Sequence, residues 1–148
     1  MGGTIFAVVP PGASGGAFRA ILVTSQTRMH MSQQIVDFAA ALDGEVTAPA
    51  ADRLLAGNPR QTVANYFSDA SQQFFAGRWS SSPGKWRIRY SESEFCCLTR
   101  GRVALENLTG GRWEFSAGAA FVVPAGFEGT WEVIEECTKF YAIFEART

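Results

Sequence analysis

Six side chains in the C-terminal half of the chain are of types that do proton-transfer or ligand-binding chemistry: Tyr90, Glu94, Cys96, Trp131, Lys139 and Tyr141. Glu94, Cys96 and Leu98 share one parity, as do Lys139 and Tyr141, so in extended chain each set lies on one face. A carboxyl group in an aromatic surround is costly to ionise unless a cation stands beside it, and Lys139 is the candidate cation for Glu94. Glutamate, lysine and tyrosine together make a workable proton-transfer set for a small polar substrate, with Glu94 as acid or base. Aromatic walls, with Trp131 at the rim, suit a compact ligand. A competing reading of the same residues is a Glu–Lys or Glu–Tyr hydrogen bond whose task is to satisfy polar groups in a packed core. Cys96 reads first as a small buried hydrophobe and second as a reactive thiol.

Other chemistries lack their parts. His30 is the sole histidine and has no second histidine or cysteine at ligand spacing, so it reads as a surface residue rather than a metal ligand or base. Without a histidine in the compact region, Cys–His and Ser–His–Asp nucleophiles are excluded. Cys96 and Cys97 are adjacent, point to opposite faces of a strand and cannot act as a pair. No glycine-rich phosphate loop is present, and the sequon at Asn107 is irrelevant in a cytosolic protein.

Composition narrows the class further. The 148 residues are 47% hydrophobic and 18% charged, which is enough apolar surface for one folded domain and too much for a disordered chain. Thirteen basic against fourteen acidic residues give a net charge of -1. The most basic stretch, from Arg78 to Arg112, is interleaved with Glu92, Glu94 and Glu106, so nucleic acid is not an expected partner. No apolar run approaches the roughly 20 residues that span a bilayer, so no membrane role is expected. Three cysteines make no disulfide framework and suit a reducing cytoplasm.

The elements that must position these residues are strands. Trp86, Ile88 and Tyr90 alternate with Lys85, Arg87 and Arg89, the period of a half-buried strand. Short apolar runs follow at 95–99, 103–108, 113–115, 121–123, 130–134 and 140–144, bounded by Gly101, Gly110-Gly111, Gly118, Pro124-Ala125-Gly126 and Glu135-Glu136. With the run at 72–80, this predicts about eight strands at spacings of roughly 8 to 12 residues, an all-β antiparallel sandwich or barrel. Residues 1–30 read as a disordered or mis-started extension, with Met29 and Met31 as alternative starts, and carry no secretory signal. Residues 31–59 read as an N-terminal arm holding one short helical turn or edge strand, and 60–148 as the compact domain.

The turns carry a resemblance. Glu94-Phe-Cys-Cys-Leu-Thr-Arg-Gly101 has the Glu-x6-Gly spacing that ends the first cupin motif, and Gly118-Ala-Ala-Phe-Val-Val-Pro124-Ala-Gly126 has the Gly-x5-Pro-x-Gly of the second. With Pro83-Gly84-Lys-Trp86 upstream and Gly129-Thr-Trp131 downstream, the chain resembles the small single-domain cupins related to ureidoglycine aminohydrolase and the ethanolamine-utilisation cupin. The resemblance implies a jelly-roll barrel with its site at the mouth.

In metal-binding cupins three histidines and one glutamate hold the ion. Here the resemblance places Ile88 and Tyr90 at two histidine positions and Gly129 at the third, leaving Glu94. The other register would put Arg87 and Arg89 inside the barrel, where unpaired charges are very costly. The ureidoglycine aminohydrolase activity that the resemblance suggests depends on that metal. No transition-metal cofactor is therefore expected; a hard cation at Glu94 with waters would be weak.

The expected function is binding of a small polar metabolite in the barrel, with Glu94-dependent isomerisation, hydrolysis or deamination; the alternative is a non-catalytic ligand-sensing, accessory or structural module. The residues alone leave enzyme and binder both open. A homodimer is expected: the resemblance implies it, since small cupins of this kind commonly pair through edge strands, and the apolar arm near Ile35 and Phe38 needs covering.

Overall fold

The computed structural model describes residues 34–147 throughout, together with the backbone of 5–7 and 21–23. The two short N-terminal strands, β1 (Ile5–Ala7) and β2 (Ile21–Val23), pair antiparallel in a sheet of their own. The rest of the 1–30 extension, including His30, lies outside the described residues.

Nine further strands form one curled antiparallel sheet: β3 (Glu45–Thr47), β4 (Leu54–Gly57), β5 (Gln61–Ser68), β6 (Phe74–Ser81), β7 (Gly84–Arg89), β8 (Ser93–Asn107), β9 (Arg112–Ser116), β10 (Ala120–Val123) and β11 (Glu128–Phe144). The main order is β10-β8-β11-β6-β5-β3; β9 joins the distal half of β8, and β7 with β4 joins the proximal half of β11. This is the expected all-β antiparallel jelly roll, and no α-helix occurs among the described residues. The arm supplies edge strands rather than a helical turn: β3 pairs with β5 and β4 with β7. No described helix is long and apolar enough to cross a membrane.

Gly101 and Glu135-Glu136, expected to end strands, bend them instead. Gly101 has φ 82°, and a Cβ there would lie 2.2 Å from the Glu136 carbonyl oxygen. Opposite it, β11 carries register shifts between Val133 and Lys139. A residue with a side chain would force the strands apart, so Gly101 lets β8 and β11 turn a corner together as continuous strands of 15 and 17 residues. Each long strand thereby serves both halves of the roll.

Alternation then decides the core. Ile88 and Tyr90 are buried while Arg87 and Arg89 are exposed; Glu94, Cys96 and Leu98 are buried, as are Trp131, Val133, Cys137, Lys139, Tyr141 and Ile143. Trp79 meets Trp131 edge-on at 5.8 Å and tilts against Trp86 at 6.3 Å, filling the centre. The outer faces differ. Around β7, β8, β9 and β11, Lys85, Glu106, Arg112 and Glu132 form a linked ion-pair ladder suited to water. On the other half, Val122, Phe95, Ala142, Ala76 and Phe67 are successive cross-strand partners, an apolar row. Phe38 of the arm stacks on Tyr66 at 4.7 Å and meets Phe140 edge-on, so part of this face is covered by the chain itself, whereas Ile35 is exposed.

Candidate functional site

Tyr90 directly follows β7, Glu94 and Cys96 rise from β8 and Lys139 comes from β11, and all four side chains are buried. Lys139 is the register partner of Leu98 on one side and of Trp79 on the other. Its side chain runs along the sheet past Cys96 to reach Glu94, with Nζ 3.3 Å from Cys96 Sγ and 2.7 Å from Glu94 Oε1. Tyr90 donates its phenolic hydrogen to Glu94 Oε2 at 2.8 Å, so both carboxylate oxygens are engaged. The ammonium also lies over two indoles, 4.4 Å from the Trp131 ring centre and 5.1 Å from that of Trp79. Glu94 is 0% exposed and Lys139 3%.

Each titratable neighbour of the pair is held in one protonation state. Burial, then the negative charge of Glu94, pushes the Tyr90 phenol well above its ordinary value. Burial, with Glu94 adding and Lys139 opposing, raises the Cys96 thiol to about 12, so it is a neutral S–H at pH 7. For Lys139 burial works against the charge, yet its Cys96 and Glu94 neighbours outweigh it and the ammonium is favoured. Because the thiol is neutral, Glu94 is the partner that carries the compensating charge. The set is a closed ion pair with its own hydrogen bonds, cation–π faces and apolar walls.

The six predicted residues are not all in this set. The structure brings together Tyr90, Glu94, Cys96, Lys139 and Trp131. Trp131 is not at a rim: it is 2% exposed, behind Phe121 and beneath Lys139. Tyr141 has the right parity but lies over Gly77 and donates to Asn65 Oδ1 at 3.0 Å. Trp79 was missed, since its place over Lys139 follows from β6–β11 register. Glu92, two residues before Glu94 and equally buried, was also missed as a site residue; burial raises its carboxyl to about 7. Shared parity with Glu94 was the available signal.

An open cavity of about 190 Å3 lies elsewhere on the inner face, between β8, β9, β10 and the loop after β10. Its lining includes Leu105, Trp113, Phe115, Phe121, Val123 and Phe127, and neither Glu94 nor Lys139 is among its lining residues. Phe115 and Phe121 are parallel at 3.9 Å, and Trp113 meets Phe127 edge-on at 6.3 Å.

The donor set does not fit a cupin transition metal. Glu94 is saturated by Lys139 and Tyr90, Ile88 offers no donor, and a Cβ on Gly129 would lie 1.8 Å from the Glu106 carbonyl oxygen, so no side chain fits there. Among the described residues no group of three or more His, Cys, Asp or Glu side chains comes together as metal ligands would.

Comparison with known proteins bears on the fold. The EutQ protein of Clostridium difficile aligns with a TM-score of 0.54 at 15% identity, over 60% of this chain and 64% of that one. A protein of unknown function of the DUF861 family from Pseudomonas syringae pv. tomato aligns at 0.64 and 21%, over 87% of this chain and 50% of that one. A putative ethanolamine utilization protein Q from Salmonella typhimurium aligns at 0.55 and 9%, over 73% and 100%. The chain thus spans less than two thirds of the first two structures, and at these identities the likeness is one of fold. No curated protein matches the sequence. The family model for the EutQ-like cupin domain matches residues 68–141, half of the chain. That match covers β6 to β11 with both spaced turns, and the chain belongs to the EutQ-like cupin domain family.

Proposed function

We infer that the protein is a non-catalytic ligand-binding cupin module that takes a small, largely apolar ligand in the aromatic cavity. One observation carries this reading: Glu94 is fully buried with both oxygens engaged, while the aromatic cavity is lined by side chains without charge. Acid–base turnover needs a carboxyl group that substrate can reach. A polar metabolite in the cavity would surrender hydration without replacement bonds, so its lining supports an apolar ligand rather than the polar one expected from Glu94. Apolar cavities of about 150 Å3 take up benzene, so a volume of about 190 Å3 suits a ligand of roughly one ring. Toluene titration followed by aromatic NMR is the test. Shifts confined to Phe115, Phe121 and Trp113, lost in Phe121→Ala and kept in the Glu94→Gln/Lys139→Met double variant, are expected. Binding that vanishes in the double variant instead would overturn the reading.

The same reading has no transition metal and places the protein in a reducing compartment, on its three free cysteines. It also includes a homodimer. Val122 and Phe95 of the outer row are 60% and 47% exposed, and a two-fold pairing needs one such self-complementary patch. The opposite face, covered by ion pairs, does not offer one. Light scattering at tens of micromolar should give a dimer, and Phe95→Lys a monomer; a wild-type monomer would count against the pairing.

A further inference from the structure

We propose that Glu92, Ser91 and Glu145 form a proton-sharing latch that fastens the end of β11 to the β7–β8 turn and opens when its proton is lost. Ser91 Oγ lies 2.9 Å from Glu92 Oε2 and 2.7 Å from Glu145 Oε1. A hydroxyl has one proton to give, so it cannot donate to two carboxylates at once. With both acids ionised, one of the two contacts would set a lone pair against a negative oxygen. Both contacts hold when the pair of acids keeps one proton: Ser91 donates to one carboxylate and accepts from the other carboxyl group. The Ser91 N–H also donates to Glu92 Oε2 at 3.0 Å.

The surroundings favour the retained proton. Glu92 Oε1 and Glu145 Oε2 are both buried without a hydrogen-bond partner, so a second negative charge there would be uncompensated. The groups facing Glu92 are Tyr90 at the end of β7, Glu94 from β8 and Glu145 beyond β11; among the described residues no lysine or arginine pairs with it, and Lys139 is committed to Glu94. Burial is the main cause of its raised value of about 7; the Ser91 bond opposes it, and Glu145 and Glu94 add to it. A carboxyl group raised in the fold stabilises the closed form fully below its ordinary value of 4.5, and that contribution is lost as pH rises through about 7. The side that yields is Glu145, one residue past β11, which is otherwise tied by its own N–H to the Gln73 carbonyl and by Arg147 N–H to the Gln73 side chain.

The latch does not depend on the ligand reading. Its test is amide hydrogen exchange of Glu145 and Arg147, whose N–H groups are bonded to Gln73, in the full chain from about pH 5 to about pH 9, with exchange corrected for its intrinsic pH dependence. Protection of these two amides should fall at least tenfold across a midpoint near pH 7. Glu92→Gln, which keeps a neutral amide in place of the acid, should stay protected throughout, and Ser91→Ala should be unprotected throughout. Equal protection at both ends of the range in the wild type would overturn the proposal. So would a transition that survives in Glu92→Gln, or one abolished by calcium chloride, which would make the pair a cation site instead.

Discussion

Lys139 and Glu94 stand 45 residues apart in the chain and meet inside the barrel at 2.7 Å, at the one position where the cupin metal-ligand pattern leaves a carboxylate. The ammonium supplies the positive charge that this carboxylate needs, and the two indoles above it exclude water. Removing one partner leaves an unpaired charge in an apolar interior. Lys139→Met alone should therefore destabilise the domain by about 3–5 kcal/mol, whereas Lys139→Met with Glu94→Leu should return close to the wild type. Urea unfolding of the wild type and the two variants checks this; equal losses in single and double variants would contradict it.

Thiol chemistry follows from the same burial. Cys96 is raised to about 12 and Cys137 to about 11, mainly by burial, so both are protonated at pH 8 and shielded from reagents. Cys97 is half-buried on the opposite parity. In the native protein a disulfide reagent should titrate at most Cys97 rapidly, and all three thiols only after unfolding. Rapid modification of Cys96 in the folded state would contradict the closed site.

Restoring the missing imidazole should fail. Gly129→His places a side chain against the Glu106 backbone, so the variant should melt lower and show no gain in zinc affinity by calorimetry. Gly101→Ala should cost at least about 2 kcal/mol, because its positive φ and its contact with the Glu136 carbonyl both penalise a Cβ.

The fold was legible because turn spacing and period-2 alternation agree. The choice of Ile88 and Tyr90 over Arg87 and Arg89 as inward residues needed nothing beyond the cost of burying charge. Parity also placed Glu94, Cys96 and Lys139 on inner faces. It does not say how far along a strand a side chain sits or how strands align, so Trp131 was expected at a rim and is in the core, and Tyr141 bonds to Asn65, with burial and then the charge of Glu94 raising its phenol. Gly101 and Glu135-Glu136 look like strand ends because breakers and bends have the same local signature; only their facing each other across β8 and β11 makes a corner. The aromatic cavity was illegible for a related reason: Phe115 and Phe121 are ordinary strand anchors in sequence, and their stacking is a product of β8–β9 and β8–β10 pairing.

The account rests on a barrel interior closed around its own ion pair. Nitrogen-15 NMR of the lysine side chains at neutral pH tests this most directly, because ammonium protons open to water exchange too fast to be seen. The account predicts one slowly exchanging ammonium signal, assigned to Lys139 by its loss in Lys139→Met and unaltered by zinc. A Lys139 ammonium in rapid exchange with water, or one displaced by a metal ion at Glu94, would contradict it.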